Sequence, residues 1–141
     1  MNYSAPASLG SITFNAGSGD EYLLDPASCA GLDMAPIRAP VDDKPQADGG
    51  LLFPFLLGPR RVTLGGWLVN RTGTAASRQT MEDNLISALT AIIASDGTFT
   101  ITPVGSGAKS LTVRCEIPVL FAGPFQKTFV FGLIAANPAF A

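Results

Sequence analysis

Hydrophobic and polar positions alternate with a period of two in several short stretches and with a helical period in one. In residues 61–70, Val62, Leu64 and Leu68 fall on one face and Thr63, Trp67 and Val69 on the other, which predicts a strand. Residues 98–102 place Phe99 and Ile101 inward with threonines between them. In residues 110–117, Leu111, Val113 and Cys115 alternate with Thr112, Arg114 and Glu116, so the two runs predict a hairpin. The last strand, residues 127–136, has Phe129, Phe131 and Leu133 on one side and Val130 and Ile134 on the other. This strand and the one at 61–70 are therefore apolar on both faces. Pro118 and Gly123-Pro124 bracket a short apolar piece at 119–122.

Between the strands, Met81, Leu85, Leu89 and Ile92 recur at helical spacing, with Ala88 and Ile93 widening the stripe and Arg78, Glu82, Asp83 and Ser87 elsewhere. That pattern predicts one helix with a buried side. Thr74 or Ser77 is its expected N-cap, and Gly97 stands where a left-handed C-terminal cap belongs. Towards the N-terminus, residues 1–10 read as a loose arm. Short strands are predicted at 11–15, at 21–25 (after the Gly17-Ser18-Gly19-Asp20 turn) and at 34–38. Strands, one helix, then more strands predict a single domain over residues 1–141, mainly β: a β-sandwich flanked by one helix.

The exception to this regularity is residues 39–60, a connection too long for a structureless loop in a compact domain. Its first part is polar, with Asp42, Asp43, Lys44 and Asp48. Its second part, Leu51, Leu52, Phe53, Pro54, Phe55, Leu56 and Leu57, is almost wholly apolar. Pro54 has no amide proton for a ladder, which argues against a central strand. Each large side chain here is worth roughly 1.5–3 kcal/mol when buried, so the run must pack on this copy or the next. We read it as an arm that other copies of the chain cover. Arg60 and Arg61 stand at its mouth, as solvated charges or as partners for a neighbouring subunit's carboxylates. Trp67 belongs to the core or to the same interface.

Composition sharpens this picture. Only 14% of the 141 residues are charged and 47% are apolar, against roughly 25% charged in typical soluble domains. A membrane span does not explain the shortage, because no apolar run approaches the ~20 residues a spanning helix needs. Met1-Asn2-Tyr3 has neither the basic start nor the apolar segment of an export signal. A surface covered by protein remains. The net charge of −2 argues against a surface that grips nucleic acid. Cys29 and Cys115 read as two buried reduced thiols.

Candidate chemistry is sparse. The chain has no histidine, which removes His-based acid–base catalysis, Ser-His-Asp triads and His-containing zinc sites. Residues 105–110, Gly-Ser-Gly-Ala-Lys-Ser, resemble the tail of a phosphate-binding loop. The glycine due before the lysine is Ala108, and a strand follows instead of a helix, so a hairpin tip is the reading. Gly17-Ser18-Gly19 does not extend to a dinucleotide fingerprint, and Asp42, Asp43 and Asp48 lack calcium-loop spacing. No catalytic residue, cofactor or metal is expected, and the chain is not expected to be an enzyme.

Taken in order, several segments resemble the N-terminal domain of phage distal tail proteins. They are Glu21-Tyr22-Leu23-Leu24-Asp25; Asp48-Gly49-Gly50 with the aromatic-proline run; and Gly58-Pro59-Arg60-Arg61-Val62-Thr63-Leu64-Gly65-Gly66. After the helix come Gly97-Thr98-Phe99-Thr100-Ile101 and Lys127-Thr128-Phe129-Val130-Phe131 running into Leu133-Ile134-Ala135-Ala136-Asn137-Pro138. The resemblance implies a β-sandwich with a helix and an extended arm, assembled in the virion as a hexameric ring at the tail tip. That ring joins the tail tube to the tip and lets DNA pass through its lumen. Implied partners are further copies of the chain, the tail-tube protein, the tail-tip hub or tail-associated protein and the tape-measure protein. Members of the family often continue into a C-terminal, frequently carbohydrate-binding domain, and no such carrier domain is expected within these 141 residues. Two rivals stand beside this reading. One is a tail-tube or tail-terminator subunit, since tube proteins share the ring-forming fold; the other is a monomeric carbohydrate-binding β-sandwich module.

Overall fold

The computed structural model describes residues 1–38, 41–43, 50–52, 56–124 and 127–141, with side chains described outside 38–56 and 125–126. Among these residues, eleven strands and one α-helix run in the order β1 (Ala7–Leu9), β2 (Ile12–Phe14), β3 (Glu21–Leu24), β4 (Ile37–Arg38), β5 (Val41–Asp43), β6 (Gly50–Leu52), β7 (Leu56–Leu57), β8 (Arg60–Val69), α1 (Ala75–Ala91), β9 (Gly97–Ile101), β10 (Lys109–Ala122) and β11 (Thr128–Ala135). Seven of the strands close on themselves in the order β1-β2-β3-β8-β11-β10-β9. The domain is thus mainly β with one helix, but it is a closed barrel and not the β-sandwich that the order of elements predicts.

The strand that closes the barrel is β1, inside the segment read from sequence as a loose arm. Ala7 pairs with Phe14 on one side and with Ile101 on the other, so β1 joins what would be the two open edges, β2 and β9. Three residues between Pro6 and Gly10 are too few to show a period. What holds them is closure itself, because Ala7 and Leu9 are buried only once both neighbours are present.

A closed ring of seven strands cannot be antiparallel throughout, and the one parallel pair is β2 with β3, at Phe14 and Tyr22. Asn15 makes that junction. It takes the left-handed conformation (φ 56°), its side-chain amide donates to the carbonyls of Tyr3 (2.9 Å) and Ala5 (2.8 Å), and its side-chain oxygen accepts from the Leu24 amide (3.0 Å). Asn15→Ala strands three backbone groups and puts a Cβ-bearing residue without a local partner into a left-handed conformation. We expect it to cost about 2–3 kcal/mol, read as a lower urea midpoint at unchanged slope.

The barrel is filled by side chains. Phe14, Phe99, Phe131, Leu64, Ile101, Leu111 and Leu133 are fully buried, and Phe14, Tyr22, Phe129 and Phe131 form an aromatic cluster with centroids 6.0–6.3 Å apart. At one point the strands come closer than a side chain allows. A Cβ on Gly66 would lie 1.8 Å from the Leu23 carbonyl oxygen, so only glycine admits the β3–β8 register.

Helix α1 carries the chain from the end of β8 to the start of β9 and packs against β10 and β2. Thr74 caps it by accepting from the Ser77 amide, as expected of Thr74. Met81, Leu85, Leu89 and Ile92 join the barrel core, and the Tyr22 hydroxyl donates to the Met81 carbonyl at 2.6 Å. Two expectations fail here. Ile93 does not widen the buried stripe but is 59% exposed, because the helix ends at Ala91 and the chain turns outward. Gly97 is not a left-handed cap but opens β9; a Cβ there would meet Ile92 Cγ2 at 2.4 Å, so its smallness makes room for the helix end.

Burial pushes the Tyr22 phenol up to about 12. The folded state holds this proton more tightly than the unfolded chain does. Its contribution to stability is therefore complete below about pH 10 and is lost as pH rises towards 12. Melting temperature should fall over that window, and Tyr22→Phe should flatten the fall.

β10 also departs from expectation. The hairpin with β9 is present, but the strand continues past Pro118 to Ala122 instead of ending there. The β10–β11 register shifts between Cys115 and Ile117 and again between Ile117 and Leu120, so Pro118 sits at an irregularity where no ladder donor is needed.

Candidate assembly interface

The apolar run expected to be an arm does form strands. β6 pairs antiparallel with β5 (Leu51 with Asp42, Leu52 with Val41), and β7 pairs with β4 (Leu56 with Arg38, Leu57 with Ile37). These two pairs form two-stranded sheets of their own, not part of the barrel's ladder. Phe53 and Phe55 lie outside the described residues. Ile37 and Leu57, at the root, are 54% and 49% exposed.

Arg60 anchors that root from within. It is 5% exposed and is not a solvated charge. Its Nε donates to the Pro138 carbonyl (2.9 Å), one terminal nitrogen donates to the carbonyls of Gly31 (2.8 Å) and Asp33 (3.3 Å), and the guanidinium lies 4.9 Å from the centre of the Phe140 ring. The sequence places this arginine at the mouth of the arm but carries no sign of these partners, which are carbonyls from two distant segments. Arg61, the next residue, points outward and pairs with Glu116 of the same chain at 3.0 Å, a surface pair worth under about 1 kcal/mol.

Trp67 stands on the outer face of β8, half-buried and outside the core. It lines a depression of about 460 Å³ with Leu120, Val130, Asp25 and Ser28. The Asp25 carboxylate is already engaged by the Ala27 amide (3.1 Å) and the Ser28 hydroxyl (3.2 Å), which leaves the depression mainly apolar. A second groove, of about 420 Å³, runs between α1 and β10 and is lined by Ile86, Leu89, Ile93, Cys115 and Val119 among others. Cys29 and Cys115 are free and half-buried, and burial pushes both thiols up.

The proposed interface residues thus fall in two places. Leu51, Leu52, Leu56 and Leu57 lie in the arm, with Arg60 and Arg61 at its base. Trp67 lies farther along β8 on the barrel wall. The sequence reading missed the uncovered side chains beside these: Ile117, Leu120, Ile86 and Ile93 are 52%, 67%, 45% and 59% exposed. One signal was present, since strict alternation stops after Glu116 and six apolar residues follow. Among the described residues, no helix is long and apolar enough to cross a membrane.

These features define a class: a small closed β-barrel with one helix packed on its core, two small two-stranded sheets ahead of β8, and exposed apolar side chains on β10 and β11. No family model matches the chain, and no curated protein matches it in sequence. Its fold, however, is similar to that of part of the SPP1 Dit protein, whose crystal structure is described as a paradigm of the hub adsorption apparatus in phages that infect Gram-positive bacteria. The two superpose with a TM-score of 0.68 over 94% of this chain, at 14% sequence identity. The chain spans 50% of the length of that protein.

Proposed function

We propose that this chain is a structural subunit of a phage tail, a distal-tail protein whose copies, six to a ring, join the tail tube to the tail tip and surround the path of the DNA. The observation that carries this reading is the shared fold with SPP1 Dit over nearly the whole chain. Physical support comes from the surface. Val130, Leu120, Ile117 and Leu57 stay uncovered on a single copy of a chain with only 14% charged residues, and contact between copies covers them.

In this role the chain has no catalytic residue and needs no cofactor. Its partners are other copies of itself, the tail-tube protein, the tip hub or tail-associated protein and the tape-measure protein, and it resides in the virion. Light scattering and electron microscopy of the purified chain test the reading. Discrete single rings are the expected result. Long stacked tubes would assign it to the tail tube, and a monomer at high concentration would overturn the ring.

A further inference from the structure

Arg60 fastens three segments with one side chain. A terminal nitrogen holds the carbonyls of Gly31 and Asp33, shortly before β4, while its own backbone follows β7. It therefore joins the chain entering the two small sheets to the chain leaving them. The Gly58 amide adds a bond of 2.6 Å to the Pro36 carbonyl between the same two stretches. The third segment is residues 136–141, where Arg60 Nε holds the Pro138 carbonyl and the Phe140 ring lies over the guanidinium.

Residues 136–141 leave the barrel ladder for a reason that lies in one proline. β11 pairs with β10 as far as Ile134 opposite Arg114. Continued at that register, Ala136 would face Thr112 and Pro138 would face Ser110. Ser110 turns its amide and carbonyl to this side, and a proline has no amide to give in exchange. Ala141 takes the place instead, in bonds of 2.9 and 3.2 Å with Ser110. Seven steps of chain from Ile134 to Ala141 thus face four from Arg114 to Ser110, and the surplus bows away from the wall. A depression of about 740 Å³ lies there, lined by Pro59, Thr112, Arg114 and Asn137 among others. Thr112, in the gap, has no backbone partner on that side among the described residues.

The bowed segment is lightly held. Among the described residues, the Arg60 bond is the one hydrogen bond that residues 136–140 make outside themselves. Ala136, Asn137 and Ala139 are exposed. A stretch with so few bonds opens ahead of the barrel strands. We infer that residues 136–141 are a strap that closes over Arg60 and sets the stiffness of residues 31–37 and 57–60. Closed, it shields and orients the guanidinium that joins those two stretches; open, it leaves the guanidinium to water and loosens both. Coupling of this kind is reciprocal. Contact that fixes the half-exposed Ile37 and Leu57 tightens the strap, and a pull on the strap loosens that contact. This last step rests on the assembly reading above, whereas the coupling itself belongs to the single chain.

Amide hydrogen exchange tests it, at a dilution where light scattering gives the single-chain 14.6 kDa. Phe140→Ala is expected to quicken exchange at Ala141 and within residues 31–37 and 57–60 by about fivefold or more, while residues 62–69 of β8 keep the parent's rates. Pro138→Ala supplies the missing amide, so the strap closes onto β10 and turns the carbonyl of residue 138 from Arg60 to Ser110. The Thr112 amide is then expected to slow while residues 31–37 and 57–60 quicken, a pair of opposite signs that general destabilisation does not give. Parental rates at residues 31–37 and 57–60 in both variants overturn the strap, as does a quickening that spreads equally through β8 and β11. A parent chain that never assembles overturns the ring reading and leaves the strap to stand on the single-chain rates.

Discussion

Leu85→Asp is expected to leave no folded protein: insoluble on expression, or soluble without near-ultraviolet circular dichroism and without a cooperative melt. Leu85 has no exposed surface and sits in the middle of α1, where Met81, Leu85, Leu89 and Ile92 pack into the barrel core. Aspartate there removes a fully buried side chain, worth roughly 1.5–3 kcal/mol, and opens a void beneath the helix. It also introduces a carboxylate that must be buried uncompensated or protonated, at a cost of several kcal/mol. Together these approach the whole stability of a domain this size, on the order of 5–15 kcal/mol. Ile86→Asp, one residue along, is the control. Its parent side chain is 45% exposed, and the variant should fold.

The second large effect is expected at Arg60. Arg60→Ala leaves the carbonyls of Pro138, Gly31 and Asp33 without their shared donor and removes the cation from the Phe140 ring. Bonds from charged donors contribute about 1.5–3 kcal/mol each, and they are not additive, so a loss of about 3–4 kcal/mol is expected in chemical denaturation. Arg60→Lys should recover only part of it, because a single ammonium cannot hold three carbonyls of a planar fork and face a ring as well. The loss should also be local. Hydrogen exchange should quicken first at the arm root and at the C-terminal residues that Arg60 ties to it, ahead of the barrel strands. A variant as stable as the parent would show that the guanidinium is spent on something other than this anchor.

Both effects turn on how much of each element could be foreseen. The helix was legible because its apolar positions repeat at 3.6 residues over about three turns, and Leu85 was marked as core by that repeat alone. The strands β8, β9 and β11 were legible because each alternates over five residues or more. Ile93 misled because its position continues the stripe although the helix has ended before it. The span of β10 was hidden by Pro118, a residue that ends most strands and is tolerated here at a register shift.

Local pattern along the chain was enough for the strand-rich class, the single helix and its buried face. Those properties depend on neighbours a few residues away, and periodicity records such neighbours. Closure into a barrel, the parallel junction at Asn15 and the inward turn of Arg60 depend on segments that meet only after folding. Ala7 needs both Phe14 and Ile101, and Arg60 needs carbonyls near residues 31 and 138. No window of sequence contains both halves of such a contact, so the energy that fixes it leaves no periodic trace.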